Sequence, residues 1–246
     1  MITYVTAMID VYNSCDTRPF EWRLDCFLEL ARTNIHICVY CSPLYHAKLI
    51  DATQGLERVK IMDPIDIDTV SVRRFTAGLD CRLPLDREQR KDSEMYMIVM
   101  NTKIELVCDA INKRPFGSDM YAWIDFSLTY VFNHTHTLER LGQISDADIL
   151  TRTRLILPGC WDHFSEHHSD QAVWRFCGGF VLGHCDAFIE LQGYYEKHFR
   201  TFVQTNSLAW EVNFWAWLEK TTEWKPIWYK ADHNDTIITG IDALKN

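Results

Sequence analysis

Short apolar runs rich in β-branched residues alternate with segments of helical periodicity at the start of the chain, and this alternation constrains the fold most strongly. Strand–helix–strand order favours a parallel sheet, because right-handed crossovers return each strand to the same direction. We therefore expect an α/β fold with a mixed, mainly parallel central sheet flanked by helices. The sequence predicts strands at residues 2–9, 36–40 and 58–62, and helices at residues 22–32 and 43–53.

The best helical pattern covers residues 92–112, after a mixed stretch, residues 63–90, that we interpret as an excursion over the sheet. Apolar side chains recur there at a period of 3.6, with Ser93 as candidate N-cap and Pro115 just beyond the end. Further along, the sequence predicts a strand ending at Asp125, strands at residues 154–157, 173–182 and 226–230, helices at residues 186–203 and 207–221, and a polar loop at residues 133–150.

Composition limits the classes of protein that this chain can belong to. Its 246 residues contain no linker or repeat, and 47% are hydrophobic, so we expect one domain with a full core. A formal net charge of −9 argues against a nucleic-acid partner bound through its phosphates. No apolar stretch approaches the roughly 20 residues of a membrane span, and the N-terminus lacks the basic region of a signal peptide.

The nine cysteines form no regular framework, and several lie inside apolar runs. This distribution is typical of reduced thiols packed in a core, which favours a cytoplasmic location. Cys38 and Cys41 form a C-x-x-C, but they fall in a predicted strand, whereas a redox pair would open a helix. We interpret both as core residues.

Asp125 ends the apolar run at residues 121–124. Ligands of open α/β sheets gather at the carboxyl ends of the strands, so this carboxylate is expected to face a ligand. With Ser127 it forms an Asp-x-Ser that can hold a divalent cation against a nucleotide diphosphate. The alternative is an Asp that starts a turn or caps a helix.

Glu211 falls within the apolar stripe of the helix predicted at residues 207–221. A buried carboxylate is costly unless it is paired or functional, and the alternative is an acid that reaches solvent at the edge of the stripe. Gly178 and Gly179 interrupt another apolar run. They indicate either close approach of a ligand or a β-bulge.

Two groups of histidines are candidate metal ligands. His163, His167 and His168 have a spacing that could bind zinc on a helix, although the polar segment around them favours a loop. His233 follows the last predicted strand, where it could complete a metal site with Asp125 or lie in a solvated loop.

Residues 91–105 (KDSEMYMIVMNTKIE) and 121–127 (YAWIDFS) are specific in combination, and residues 4–10 and 176–180 add to them. Together these segments resemble the HtrL/YibB family, which comprises glycosyltransferase-like proteins of bacterial surface-polysaccharide loci and large DNA viruses. The resemblance covers residues 2–233.

The resemblance implies a GT-A-like fold with a nucleotide-binding half, residues 1–127, and an acceptor-binding half, residues 128–246. It also implies a glycosyltransferase that moves a sugar from a nucleotide-sugar donor, linked to UDP or GDP, to a glycan acceptor. Retention and inversion at the anomeric carbon both stay open.

The implied cofactor is Mn²⁺ or Mg²⁺, held by Asp125, Ser127 and His233, with Ser127 in the position of a second acid. The resemblance also implies that Thr6 and Asp10 contact the nucleoside and that Lys103 contacts the phosphates. The donor sugar would approach the backbone at Gly178 and Gly179. Asp125 and Glu211 would be the catalytic residues, with Glu211 at the donor sugar or the acceptor hydroxyl. The alternatives are a non-catalytic nucleotide- or glycan-binding relative and a zinc hydrolase built on His163, His167 and His168.

Overall fold

One seven-stranded sheet organises the chain. The computed structural model describes residues 1–9, 11, 18–144, 152–162 and 170–245. The strands are β1 (Ile2–Met8), β2 (His36–Cys41), β3 (Val59–Ile61), β4 (Met120–Ile124), β5 (Ile156–Gly159), β6 (Phe180–His184) and β7 (Ile227–Lys230). They lie in the order β3-β2-β1-β4-β6-β5-β7.

Strand direction determines which chain segments meet at the edge of the sheet. β1 is parallel to β2 and β4, and β2 is parallel to β3. β6 is antiparallel to both of its neighbours, β4 and β5, whereas β5 and β7 are parallel. The carboxyl ends of β1 and β4 and the beginning of β6 therefore lie at the same edge.

Helices cover both faces of this sheet, which confirms the predicted single-domain α/β fold with a mixed, mainly parallel central sheet flanked by helices. They are α1 (Phe20–Ala31), α2 (Pro43–Ala52), α3 (Ser71–Thr76), α4 (Glu94–Lys113), α5 (His136–Gln143), α6 (Cys185–Thr205), α7 (Glu211–Thr221) and α8 (Thr236–Thr239), with 3₁₀ turns at Leu128–Val131 and Gly240–Lys245. None of the described helices combines the length and the apolar character needed to cross a membrane.

Strand alternation divides the buried side chains into two cores. Successive side chains of a strand point to opposite faces, so Tyr4 packs in the core under α1 and α2, while Val5 packs in the core under α4, α6 and α7. Cys38 and Cys41 both lie in β2 and are buried, which confirms their interpretation as core residues.

Helix α4 crosses one face of the sheet and contacts β1, β4, α6 and α7. The predicted N-cap is confirmed, because the Ser93 side chain accepts a hydrogen bond from the backbone N–H of Tyr96 at 3.2 Å. The helix ends at Arg114, whose φ of 45° is left-handed. Its inward face carries Lys103, only 2% exposed, and a charge buried this deeply requires partners.

The predicted loop at residues 133–150 is wrong over part of its length, because it contains α5. Leu141 anchors this short helix in the core. Asp235, far away in sequence, accepts hydrogen bonds from the segment that leads into the helix. Tertiary contacts therefore stabilise a helix in a window too polar to show one, while residues 145–150 lie outside the described part of the chain.

Two other predicted elements are shorter in the structure. The strand predicted at residues 173–182 is extended only from Phe180, because the segment before it, which includes Gly178 and Gly179, crosses the sheet edge as irregular backbone. The helix predicted from Ser207 begins at Glu211. Helix α8 and the following 3₁₀ turn lie where the sequence predicts no element.

We expect Asp235→Asn to lower the free energy of unfolding by about 1–3 kcal/mol, because the Asp235 carboxylate is 8% exposed and accepts four hydrogen bonds from Asn133, His134 and Thr137. Burial alone would raise the pKa of Asp235, but the Thr137, Asn133 and His134 donors outweigh it and lower that pKa. The stabilisation is thus present above the unfolded-state pKa of about 3.9 and is lost as pH falls below it.

Urea unfolding between pH 3 and pH 7 measures this difference. Asp242→Asn is the matched control, because Asp242 pairs with Arg140 at the surface and is expected to contribute less than about 1 kcal/mol. An equal loss in both variants, or a loss for Asp235→Asn that does not change with pH, would contradict the expectation.

Candidate functional site

A cavity of about 440 Å³ opens where the carboxyl ends of β1 and β4 meet the beginning of β6. Met8 lines it from β1, Asp125 and Ser127 from the segment after β4, and Gly179 from the segment before β6. The backbone N–H of Asp125 donates to the carbonyl of Gly179 at 3.0 Å and ties two of these segments together. The position agrees with the general location of ligand sites in open α/β sheets.

Lys103, Asp125 and Glu211 meet at the base of this cavity, and we call them the Lys103 cluster. Lys103 Nζ lies 2.6 Å from Glu211 Oε1 and 2.9 Å from Asp125 Oδ1. It also donates to the carbonyl oxygen of Gly178 at 2.9 Å. These contacts engage the three donors of an ammonium group, so in this structure the protein itself occupies every N–H of Lys103.

Burial shapes the charges of the Lys103 cluster. Burial by itself would lower the pKa of Lys103, but the charges of Asp125 and Glu211 outweigh it and raise that pKa, so Lys103 is a cation. For Glu211, burial prevails over the attraction of Lys103 and raises the pKa of the carboxyl. The Glu211 side chain is 4% exposed, whereas that of Asp125 is 40% exposed and open to the cavity.

The two oxygens of Asp125 have different surroundings. Oδ1 contacts Lys103 and accepts a hydrogen bond from Trp123 Nε1 at 2.8 Å. Within the part of the chain that the structure describes, no hydrogen bond reaches Oδ2. Asp125 is thus held in place through one oxygen and offers the other to whatever occupies the cavity.

Close approach of its neighbours requires glycine at position 178, and a tighter than usual contact favours glycine at position 179. A Cβ atom on Gly178 would lie 1.9 Å from Glu211 Oε1. A Cβ atom on Gly179 would lie 3.0 Å from Leu128 Cδ1 and 3.5 Å from Asp125 Oδ2. Both glycines line the cavity, so the absence of side chains leaves the cavity open beside the two carboxylates.

Most residues singled out from the sequence come together in this cavity, although the sequence does not show their partners. Those that line it are Lys103, Asp125, Ser127, Gly178, Gly179, Glu211 and His233. Thr6 does not line it, because its side chain is buried within β1, and the neighbouring Met8 is at the wall instead. Asp10, His163, His167 and His168 lie outside the described residues.

Sequence reasoning missed a group of basic side chains in the cavity wall, namely Arg18, Arg23, Arg90 and Lys91. The Arg18 guanidinium lies 4.2 Å from the ring centroid of Tyr130, which also lines the cavity, and Arg23 Nε donates to the carbonyl of Arg18. Arg18, Arg23 and Arg90 belong to no motif, and Lys91 opens the segment 91–105 without any sign of a role in a cavity, because this part of the wall is assembled from two segments far apart in sequence. They make part of the wall basic in a chain of net charge −9, which suits an anionic ligand.

His233 also lines the cavity, and it contacts a cysteine pair. Its Nδ1 is 3.7 Å from Cys160 Sγ, which is 3.4 Å from Cys177 Sγ. Trp174 packs against the His233 ring at 4.4 Å between centroids. The contact with Cys177 lowers the pKa of Cys160 to about 5, and the contact with Cys160 raises the pKa of His233.

No protein-family model matches this chain, and no curated protein matches it. Solved structures similar to it include a 4-diphosphocytidyl-2C-methyl-D-erythritol synthase from Anaerococcus prevotii, at 8% identity and a TM-score of 0.46, covering 100% of this chain and 96% of that chain. Another is the apo form of mouse xyloside xylosyltransferase 1, at 7% identity and a TM-score of 0.42, covering 99% and 81%. We therefore infer function from the cavity and its side chains.

We expect Gly178→Ala to destabilise the protein by about 1–3 kcal/mol, because the new methyl group collides with a carboxylate that Lys103 holds in place. The matched control is Gly193→Ala in α6, where nothing lies within 4 Å of the new Cβ and helix propensity favours alanine by up to about 1 kcal/mol. Urea unfolding compares the two variants. Equal stability changes would show that the contact with Glu211 does not constrain this position.

We expect Lys103→Met to lower the free energy of unfolding by about 3–5 kcal/mol, because it leaves Glu211 buried without its cation. The loss should shrink at low pH, since an unpaired buried carboxyl has a raised pKa and its protonated form is tolerated below that pKa. A double-mutant cycle with Glu211→Gln measures the coupling. Strictly additive losses in the double variant would contradict the ion pair as the stabilising contact.

Proposed function

We propose that this protein is a glycosyltransferase that moves a sugar from a nucleotide-sugar donor, UDP- or GDP-linked, to a glycan acceptor. The observation that carries the proposal is the placement of Asp125, whose free oxygen faces a cavity at the carboxyl ends of β1 and β4. The basic wall of that cavity suits the diphosphate of the donor. The resemblance to the HtrL/YibB family supports the same activity.

The residues at the cavity fit a hard divalent cation, Mn²⁺ or Mg²⁺. Asp125 Oδ2 and the Ser127 hydroxyl are oxygen ligands of the kind that such ions prefer, and His233, which also lines the cavity, is the proposed nitrogen ligand. When bound, the ion would supply positive charge to the leaving nucleoside diphosphate. Lys103 shares the charge of Asp125 and so limits how strongly this carboxylate attracts an ion.

The positions of the basic side chains in the cavity suggest which of them bind the donor phosphates. We assign the donor phosphates to Arg18, Arg23, Arg90 and Lys91, because the N–H groups of Lys103 are already engaged. Lys103 instead positions Asp125 and Glu211. The nucleoside would lie over the end of β1, so residues 1–127 form the nucleotide-binding half and residues 128–246 the acceptor-binding half.

Glu211 is the proposed catalytic carboxylate at the sugar. It lines the cavity beside Gly178 and Gly179, where no side chain blocks the approach of a donor sugar. Its burial raises the pKa of the carboxyl, and this is the direction that favours general acid–base catalysis. Its carboxyl group would contact the donor sugar or accept a proton from the acceptor hydroxyl.

A second candidate is a nucleotide- or glycan-binding protein without catalysis. Two observations favour it, namely the Ser127 hydroxyl in place of a second acid and the ion pair that already neutralises Asp125. Turnover separates the candidates, since a transferase releases nucleoside diphosphate from a nucleotide sugar and a binding protein does not.

We expect UDP or GDP to bind in calorimetry, more tightly with Mn²⁺ than without it, and Asp125→Asn to weaken the binding with Mn²⁺ by at least about tenfold, or about 1.4 kcal/mol. The matched control is Asp119→Asn, which removes an acid paired with Arg114 at the opposite end of β4 and should bind like the wild type. The absence of binding for every nucleotide tested, with and without the ion, would overturn the proposed function.

A further inference from the structure

Three chain segments meet at the corner of the sheet beside the cavity. Cys160 follows β5, His233 follows β7, and Cys177 precedes β6. Because β5 is parallel to β7 and antiparallel to β6, these positions lie at one edge. The backbone N–H of Cys177 donates to Pro158 at 2.8 Å, and that of Cys160 donates to Trp174 at 3.0 Å, so main-chain hydrogen bonds hold the segments in register.

The side chains of these segments converge on one point. Cys160 Sγ lies 3.4 Å from Cys177 Sγ and 3.7 Å from His233 Nδ1, and one ligand atom of each residue lies within 4.8 Å of the others. Zinc bonds of about 2.3 Å to sulfur and about 2.0 Å to nitrogen, at tetrahedral angles, place neighbouring ligand atoms about 3.5–3.8 Å apart. The observed separations from Cys160 are close to these values.

We propose that Cys160, Cys177 and His233 bind a zinc ion at the rim of the cavity. Two thiolates and an imidazole are soft and borderline ligands, which favour Zn²⁺ over the Mn²⁺ or Mg²⁺ proposed for Asp125. The fourth position is open to water or to Asp232, whose Oδ1 lies 3.7 Å from Cys160 Sγ and 3.6 Å from His233 Nδ1.

The zinc ion would cross-link the chain segments that form the rim of the cavity. It would join the segments after β5 and β7 to the segment that leads to Gly178 and Gly179. His233 would bind through Nδ1, with Trp174 packed against its ring. This proposal reassigns His233 from the Mn²⁺ or Mg²⁺ site to zinc and leaves Asp125 and Ser127 as the protein ligands of the other ion. It does not depend on transferase activity, because it rests on the sheet corner and its ligands alone.

A second group of possible metal ligands, His184, Cys185 and Asp186, has a simpler explanation in local structure. These residues are consecutive, and His184 caps α6 by accepting a hydrogen bond from the backbone N–H of Asp186. Helix capping accounts for that cluster. Nothing of the kind accounts for Cys160, Cys177 and His233, which come from segments far apart in sequence.

The test is the zinc content of the full chain, measured by mass spectrometry of the metal after loading with Zn²⁺ under reducing conditions and dialysis. We expect about one zinc per chain in the wild type and loss of at least about four-fifths of it in Cys160→Ala and in Cys177→Ala. Cys108→Ala is the matched control, since Cys108 is a half-buried thiol on α4 whose hydrogen bond goes to the Phe188 carbonyl. It should keep its zinc, and so should Asp125→Asn, which separates this proposal from the proposed function.

Cobalt provides a second readout that does not depend on how well a variant folds. The wild type loaded with Co²⁺ should show thiolate-to-metal charge transfer and the strong visible bands of a tetrahedral site, and Zn²⁺ should displace them. A wild type that retains no zinc and gives no such spectrum would overturn the proposal. So would equal zinc content in Cys160→Ala, or a Cys160–Cys177 disulfide as the state that remains after zinc loading.

Discussion

One buried ammonium group holds the centre of this protein together. Lys103 projects from α4, and its three contacts reach the end of β4 at Asp125, the beginning of α7 at Glu211 and the segment before β6 at Gly178. Lys103 and Glu211 are both buried and stabilise each other, because removing either one leaves an uncompensated buried charge, whereas Asp125 is 40% exposed. A single side chain therefore links four segments of the chain.

The Lys103 cluster also explains the shape and chemistry of the cavity. It fixes one oxygen of Asp125 and leaves the other open, and it holds Glu211 where only glycine fits opposite. Groups held in advance in this way lose little freedom when a ligand binds. The basic side chains of the wall and the cysteine–histidine corner contribute charge and ligand atoms of a different kind.

The sequence was most informative at positions where the residue type would destabilise the fold unless it had a partner or a function. Glu211 in an apolar stripe and Gly178 within an apolar run both indicated constraint; Glu211 belongs to the Lys103 cluster, and the Gly178 carbonyl accepts a hydrogen bond from Lys103. Arg18 and the pairing of Cys160 with His233 gave no signal, because neither depends on local spacing. The sequence did not predict helix α5 either, because local spacing does not show the contacts that stabilise it. Asp235, about 100 positions further along the chain, accepts hydrogen bonds from the residues just before this helix.

Hydrophobic periodicity by itself predicted most of the strands and helices, the mainly parallel sheet and the position of Asp125 at a strand end, because periodicity records which face of each element is buried. Tertiary structure alone decided the partners. Lys103 and Glu211 are separated by 108 positions, and Cys160 and His233 by 73. Each pair meets because of where the sheet places its strands, with the antiparallel β6 between β4 and β5, and that order follows from packing the whole chain.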